Sequence, residues 1–358
     1  MTIVQPGQPF QGDDSDRADY LERLEPDAFA TTAIDSDHDL RFGELPPDGA
    51  PPGGDGGNPP EGGEVTGSGS MIRQMLRVFL QNKLAVASVI YMAIVTLACF
   101  FGHYIYNPNL DANAALSGTC FNSSAIGYSG PSTAHPFGCT SGGIDELGLI
   151  FFAGKYSLIV GYLSAAVTMT FGVAYGIISG FRGGWLDTVL MRLNDMFLSI
   201  PGLYLILLIL TVIGRSPTGL ILVIGGTGWF GVARLMRGEA LSLRDREYAQ
   251  AVRAMGGSGT RIVWKHILPN SMSTAATAGT FALGDSILAL TALGFLGLGL
   301  APPLTDWGTM IQNGSNDFGS GSWWEIWPLG IIFILFVLST NYIGDALRDA
   351  FEVRLQER

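Results

Sequence analysis

Lysine is scarce in this sequence. Among 358 residues there are only three, Lys83, Lys155 and Lys265, and none is followed by serine or threonine. A G-x-x-x-x-G-K-[ST] loop is therefore absent, and ATP binding by that route is excluded. The four histidines (His38, His103, His135, His266) are scattered and none belongs to an H-E-x-x-H pair, so no metal-hydrolase pattern is present. Charge is sparse too, at 14% against 47% hydrophobic residues, a balance that departs from soluble domains toward membrane proteins. Lys and Arg are missing altogether from 107–148 and 301–327. Paired acids such as Asp145-Glu146 fall in the first of these stretches and read as solvated surface. Catalysis is not expected of this chain, nor a bound cofactor, a metal or a nucleic-acid partner.

The net charge of −11 is concentrated at one end. Residues 1–70 hold fifteen Asp/Glu against three Lys/Arg, which leaves sixteen acids and seventeen bases in the remainder. The acidity belongs to a tail. That tail is poor in large apolar residues, and Pro46 to Ser70 has fifteen Gly or Pro in twenty-five positions. Such a segment cannot bury enough surface to offset chain entropy, so 1–70 is expected to be a disordered cytoplasmic tail, with Asp19 to Phe29 able to form a transient helix. The first apolar run begins only near Lys83, so no cleavable signal peptide is expected ahead of the membrane part.

Six stretches are long and apolar enough to span a bilayer, which takes about 20 residues. They are Leu84 to Tyr106, Tyr156 to Ser179, a third from near Leu186 to Ile213 with Pro201 as a kink, Thr218 to Val232, Thr274 to Leu300 and Trp324 to Leu347. The second is rich in Gly and small residues that let helices approach closely. The basic residues set the orientation. The flank before span one (Arg73, Arg77, Lys83), the segment from Arg234 to Asn270 and the C-terminal tail 351–358 are basic, whereas 107–148 and 301–323 carry no base. Both termini are thus expected in the cytoplasm, with two long outer loops. Arg215 is the one exposed exception.

Three features have chemical potential. Cys120 and Cys139 both lie in the first outer loop, where oxidation is permitted, so they are either disulfide-bonded or two free thiols. Cys99, inside span one, reads as a small apolar residue. Asp285 is an acid midway along span five, and burying it in lipid would cost several kcal/mol, so it should face the bundle interior, a partner helix or water. It is either a polar lining group in a solute path or a structural carboxyl bonded to Ser286 or Thr291. The third feature is the polar segment 237–270. Leu243 to Met255 holds only tolerable helix formers, Gly256-Gly257 supplies a stop, and Ile262 to Ile267 resumes before Pro269, which predicts helix, glycine turn, helix on the cytoplasmic side.

That segment resembles the cytoplasmic loop of importer-type ABC permeases, whose pattern is E-A-A, three residues, G, nine residues, I-x-L-P. The aligned residues are Gln250-Ala251-Val252, Gly256 and His266-Ile267-Leu268-Pro269, with Gln250 and His266 departing from the pattern. Further strings are similar to the C-type subunit of the dipeptide, oligopeptide and nickel permeases. They are Asn82-Lys83-Leu84-Ala85, His135-Pro136-Phe137-Gly138, Gly183-Gly184-Trp185-Leu186-Asp187 with Met191-Arg192, Gly294-Phe295-Leu296-Gly297-Leu298-Gly299, and Pro302-Pro303 with Asp306-Trp307-Gly308. The resemblance covers about 72–350. It departs at Gly138-Cys139 to Leu149, where an acidic-Gly-Arg-Asp run is replaced.

The resemblance implies an all-α membrane protein with the six-helix type I ABC importer permease fold over 71–350, in a bacterial inner membrane. It implies a B-type permease partner, two ATPase subunits or one fused ATPase that carry ATP and Mg, and an extracytoplasmic peptide-binding protein. Gln250, Ala251, Val252, Arg253, Gly256, Leu268 and Pro269 would then form the ATPase-coupling element. Di- or oligopeptide uptake is the implied activity, with nickel or another small solute as the alternative. An ATP-independent channel or secondary transporter would need more buried acids than the spans offer.

Overall fold

The computed structural model describes residues 77–106, 120 and 130–356. The expected acidic tail, the Asp19 to Phe29 segment and most of the first outer loop lie outside the described residues. The membrane part is a unit by itself, Val65–Arg358. Its principal helices are α1 (Lys83–Tyr106), α2 (Glu146–Arg182), α3 (Gly184–Leu198), α4 (Gly202–Ile213), α5 (Pro217–Arg244) and α6 (Glu247–Ala254). After these come α7 (Gly259–Ile262), a π-helical turn (Val263–Ile267), α8 (Leu268–Asn270), α9 (Met272–Phe295), α10 (Trp307–Asp317) and α11 (Trp327–Gln356). Among the described residues there is no strand, only an isolated bridge between Cys139 and Asp145. The all-α class is as expected from the apolar runs.

Five helices are long and apolar enough to cross a membrane: α1, α2, α5, α9 and the one built on α11. The sixth candidate differs from the expected single kinked helix. It is two helices, α3 and α4, bent by 88° at the break between them. Pro201 accounts for this. Proline disfavours helical geometry in the residue before it and has no N–H to donate. The Ile200 N–H turns back to the Phe197 carbonyl (3.1 Å), and Pro201 itself takes an extended ψ of 125° and caps α4.

The tightest pairing is α2 against α5. Gly172, Gly176 and Gly180 recur every four residues on one face of α2, and a Cβ at Gly180 would lie 2.6 Å from the Arg237 carbonyl oxygen. Gly225 on α5 answers them, with a Cβ there only 2.8 Å from the Ser164 carbonyl. Small residues thus bring the two backbones together, the packing that spans use where no hydrophobic force acts between them. Three clusters fill the remainder. One surrounds the buried rings of Trp307 and Phe336 and includes Cys99, another joins Val160, Leu210, Val223 and Leu290, and the third gathers Ile177, Met236, Ala249, Ile262 and Ile267.

Two aspartates build the end of the bundle where α2 begins and α9 finishes. Asp145 caps α2 by accepting the Gly148 N–H (2.8 Å), and it also meets His135 Nδ1 (2.6 Å) and the Tyr106 hydroxyl (3.2 Å). Asp145 and Glu146 are 2% and 1% exposed, so the expectation of solvated surface is corrected. Asp306 caps α10. It is fully buried and accepts hydrogen bonds from Leu300 N, Thr309 N and the Thr309 hydroxyl at 2.9, 3.0 and 3.0 Å. Burial nevertheless holds its carboxyl above the usual range. Gly294 and Gly299 leave the space it occupies.

Candidate functional site

The segment 237–270 is not one loop. α5 runs to Arg244, and the chain breaks at Asp245 and Arg246 before α6 begins, so the expected helix from Leu243 to Met255 is two helices. Arg246 adopts an extended ψ of 148°, and the Gln250 amide bonds the Asp245 carbonyl (3.0 Å) across the break. Gln250 therefore has a local structural partner. Ala249 is fully buried and Val252 half-buried, and both pack on the Ile177–Met236–Ile262 cluster at i, i+3 spacing. That leaves Gln250, Ala251, Arg253, Ala254 and Met255 on the exposed face, Met255 being 78% exposed.

α6 ends as its glycines predict. Gly256 has φ +78°, its N–H reaches the Arg253 carbonyl (3.0 Å), and the Gly257 N–H reaches back to Val252 (2.9 Å). This is the Schellman arrangement, which favours glycine at the left-handed position. Gly257 is needed for another reason, since a Cβ there would sit 2.5 Å from Val252 Cγ1. Ser258 then caps α7 through the Arg261 N–H (3.3 Å).

The remaining predicted coupling residues divide. Pro269 is exposed, whereas Leu268 is half-buried and packs on the same inner cluster, as support and not surface. The Arg253 guanidinium lies over the Phe181 ring at 5.6 Å, a cation–π contact within the chain. Arg261 is exposed, and Trp264, 66% exposed, extends the surface beside it.

Behind this surface lies a network that sequence reasoning missed. Arg237 on α5 grips Asp187 on α3 through two hydrogen bonds, and the Asp187 carboxylate also accepts the Ser179 hydroxyl of α2. Arg244 adds a bond to the Gly180 carbonyl (3.4 Å). Ser179, Asp187, Arg237 and Arg244 thereby tie α2, α3 and α5 together next to α6. The available signal was Asp187 itself, an acid near the start of an apolar run. The exposed Arg234–Asp195 pair is of the kind that contributes little.

Asp285 lines a cleft of about 430 Å³ between α2, α4, α5 and α9, with Thr168, Thr227 and Ser286 as its other polar side chains. The Ser286 hydroxyl is committed to the Ala282 carbonyl (2.7 Å), and among the described residues no hydrogen bond or ion pair engages the Asp285 carboxylate. A second cleft, of about 570 Å³, adjoins α6 through Arg246 and Tyr248. Leu235, Ala278 and Phe281 line both, so one groove follows α5 and α9 from Asp285 to the segment 237–270. Cys120 and Cys139 are joined in a disulfide. Arg215, the exception to the charge asymmetry, donates to the Gly297 carbonyl (2.8 Å) at the end of α9.

Comparison with known proteins shows the family. Residues 172–357 match the family described as binding-protein-dependent transport system inner membrane component. Residues 70–118 match the N-terminal TM domain of oligopeptide transport permease C. The oligopeptide transport system permease protein OppC of Bacillus subtilis is 32% identical over 287 residues, 79% of this chain and 89% of that protein. The dipeptide transport system permease protein DppC of Alkalihalophilus pseudofirmus is 32% identical over 284 residues, 79% and 90% of the two chains. The glutathione transport system permease protein GsiD of Pectobacterium atrosepticum is 31% identical over 284 residues, 79% and 91% of the two.

Proposed function

This chain belongs to the binding-protein-dependent transport-system inner-membrane component family, and from that premise we propose that it forms half of the path for di- and oligopeptides in an ATP-driven importer. The groove along α5 and α9 supplies the half-path, and a second, B-type permease supplies the other half. Asp285, a carboxylate without a partner at membrane depth, faces the solute. The helical ends that carry 237–270 face the cytoplasm, and an extracytoplasmic peptide-binding protein delivers to the opposite face.

The observation that carries the coupling role is the division of α6 into two faces. Ala249 and Val252 fix it to the body, while Gln250, Ala251 and Ala254 present small, exposed positions that fit a groove on another protein. ATP and Mg reside on ATPase subunits that seat this helix. Their closure displaces it, and the attached spans re-orient as rigid bodies.

The test is ATP-dependent uptake of labelled di- to hexapeptides by vesicles holding the chain with its partner permease, ATPases and binding protein. Uptake requiring both ATP and this chain supports the reading. Uptake that persists without ATP, or transport of nickel in place of peptide, overturns it.

A further inference from the structure

Ahead of α2, the Sγ atoms of Cys120 and Cys139 and a ring nitrogen of His135 all lie within 4.8 Å of one another. Among the described residues no other three His, Cys, Asp or Glu side chains converge so closely. Spacing along the chain gives no sign of the set, because folding brings Cys120 to His135 and Cys139. Behind them stands Asp145, 2% exposed, which meets His135 Nδ1 at 2.6 Å. A carboxylate bonded to an imidazole orients the ring and raises its basicity, the role that outer-shell groups play for ligating histidines.

The two sulfurs are joined in a disulfide, but their positions do not rest on that bond alone. The Cys120 N–H donates to the Gly143 carbonyl (2.7 Å), the Cys139 carbonyl accepts the Trp324 Nε1–H (3.0 Å), and Cys139 pairs with Asp145 in the isolated bridge. The Gly143 N–H and the Thr140 N–H close the turn between them, onto the Thr140 and Ile144 carbonyls (both 2.8 Å). Reduction therefore leaves two thiols held beside His135. Cys139 is 1% exposed, whereas Cys120 and His135 are half-buried, so a reductant reaches the pair from the Cys120 side.

A dithiol supplies the two electrons and two protons, becomes a disulfide itself, and leaves Cys120 and Cys139 as thiols. A divalent metal then displaces those two protons and meets two thiolates and one imidazole. Sulfur donors do not suit Ca²⁺ or Mg²⁺, and two Cys with one His and a fourth position for water is a tetrahedral zinc set. With Zn–S bonds of about 2.3 Å the sulfurs stand about 3.8 Å apart, ordinary contact for sulfurs no longer bonded to each other. Two thiolates also neutralise the ion, which half-buried surroundings favour.

We propose that Cys120, Cys139 and His135, with Asp145 behind the imidazole, form a Zn²⁺ site that the disulfide masks and reduction opens. The two cysteines then clasp the segment ahead of α2 in either redox state, by a covalent bond when oxidised and through the ion when reduced. The site does not depend on the transport reading.

The test uses the tag-free full-length chain in nanodiscs, either oxidised or reduced with a phosphine that is then removed under argon. Co²⁺ serves as the optical probe, because thiolate ligation gives it intense charge-transfer bands, and Zn²⁺ retained after desalting is counted by mass spectrometry. The reduced chain should hold one ion and the oxidised chain none, and Zn²⁺ should raise the unfolding temperature of the reduced chain alone. Cys120→Ser with Cys139→Ser should abolish binding, and His135→Ala should weaken it about tenfold or more. An intact bridge in oxidised His135→Ala shows that this variant folds. Cys99→Ser should change nothing, since Cys99 is buried within α1. No Zn²⁺ on the reduced chain, equal retention by the oxidised chain, or undiminished binding by His135→Ala overturns the site.

Discussion

The Asp187 carboxylate accepts two hydrogen bonds from the Arg237 guanidinium, one from Nε and one from Nη2, each 2.6 Å long. The geometry is bidentate, and lysine cannot reproduce it. Asp187→Ala should destabilise the chain by about 2–3 kcal/mol, below the figure for a fully buried pair because Arg237 remains one-third exposed. Thermal unfolding in detergent of both single alanine variants and the double variant measures the coupling. Additive losses would show that the pair contributes nothing beyond its separate contacts.

Gly256 and Ala251 separate stability from coupling. Gly256→Ala forces a side chain into φ +78° and should destabilise by about 1–2 kcal/mol, while Gly256→Asp adds a charge at the same exposed turn. Ala251→Trp, at an exposed position, should move stability by no more than about 0.5 kcal/mol. Both Gly256→Asp and Ala251→Trp should nonetheless leave the chain inserted and abolish ATP-dependent peptide uptake and stimulation of the ATPases. Normal uptake by an inserted Ala251→Trp variant would sink the coupling role of α6.

Asp285→Asn keeps the shape of the cleft and removes its charge. Peptide uptake should fall about tenfold or more, the loss expected when a charge contact of about 1.4 kcal/mol or more is removed. Assembly with partner subunits, followed by size-exclusion chromatography, should not change. Undiminished uptake would remove Asp285 from the path.

Asp306→Ala strands the buried Leu300 N–H and the half-buried Thr309 N–H. A loss of about 3 kcal/mol or more is expected from two unsatisfied donors and a lost helix cap. Gly294→Ala should act in the same direction, because its methyl would occupy the place of the Asp306 carboxylate. Yield of folded protein and unfolding temperature report both, and a stable Gly294→Ala variant would show that Asp306 can be displaced without penalty.

The Cys120–Cys139 bridge closes a loop across a sequence separation of 19, for which the chain-entropy account gives about 3 kcal/mol. Cys120→Ser with Cys139→Ser should lower the unfolding temperature, and mass spectrometry without reductant should find one alkylatable thiol, Cys99, after denaturation. Three alkylated thiols would exclude the bridge.

Helix type and spans were readable because apolar runs and basic flanks act locally. Gly256 was readable for the same reason, its neighbours alone demanding a left-handed turn. The break at Pro201 was visible as a proline, but its 88° angle depends on which helices α3 and α4 pack against. The second break, at Asp245 and Arg246, left no comparable mark, since both residues tolerate a helix. Glu146 was misread because its burial comes from Glu325 and α10, more than 160 residues away, and no local pattern records such an encounter. Several strings that carried the resemblance, among them Gly294 to Gly299 and Asp306 to Gly308, are packing devices. They reported on the fold more than on the solute.

Only Asp245 and Arg246 stand between α5 and α6, and α5 is held backbone to backbone on the glycine face of α2. A flexible tether of many residues would absorb a displacement as slack. Two residues, one of them gripped by Gln250, leave almost none. On the proposed coupling role, α6 would be the short arm of a stiff crank whose shaft is the α2–α5 pair, and small travel at the surface would become rotation deep in the bilayer. Lengthening the joint by a few glycines would uncouple the crank while leaving each helix where it is.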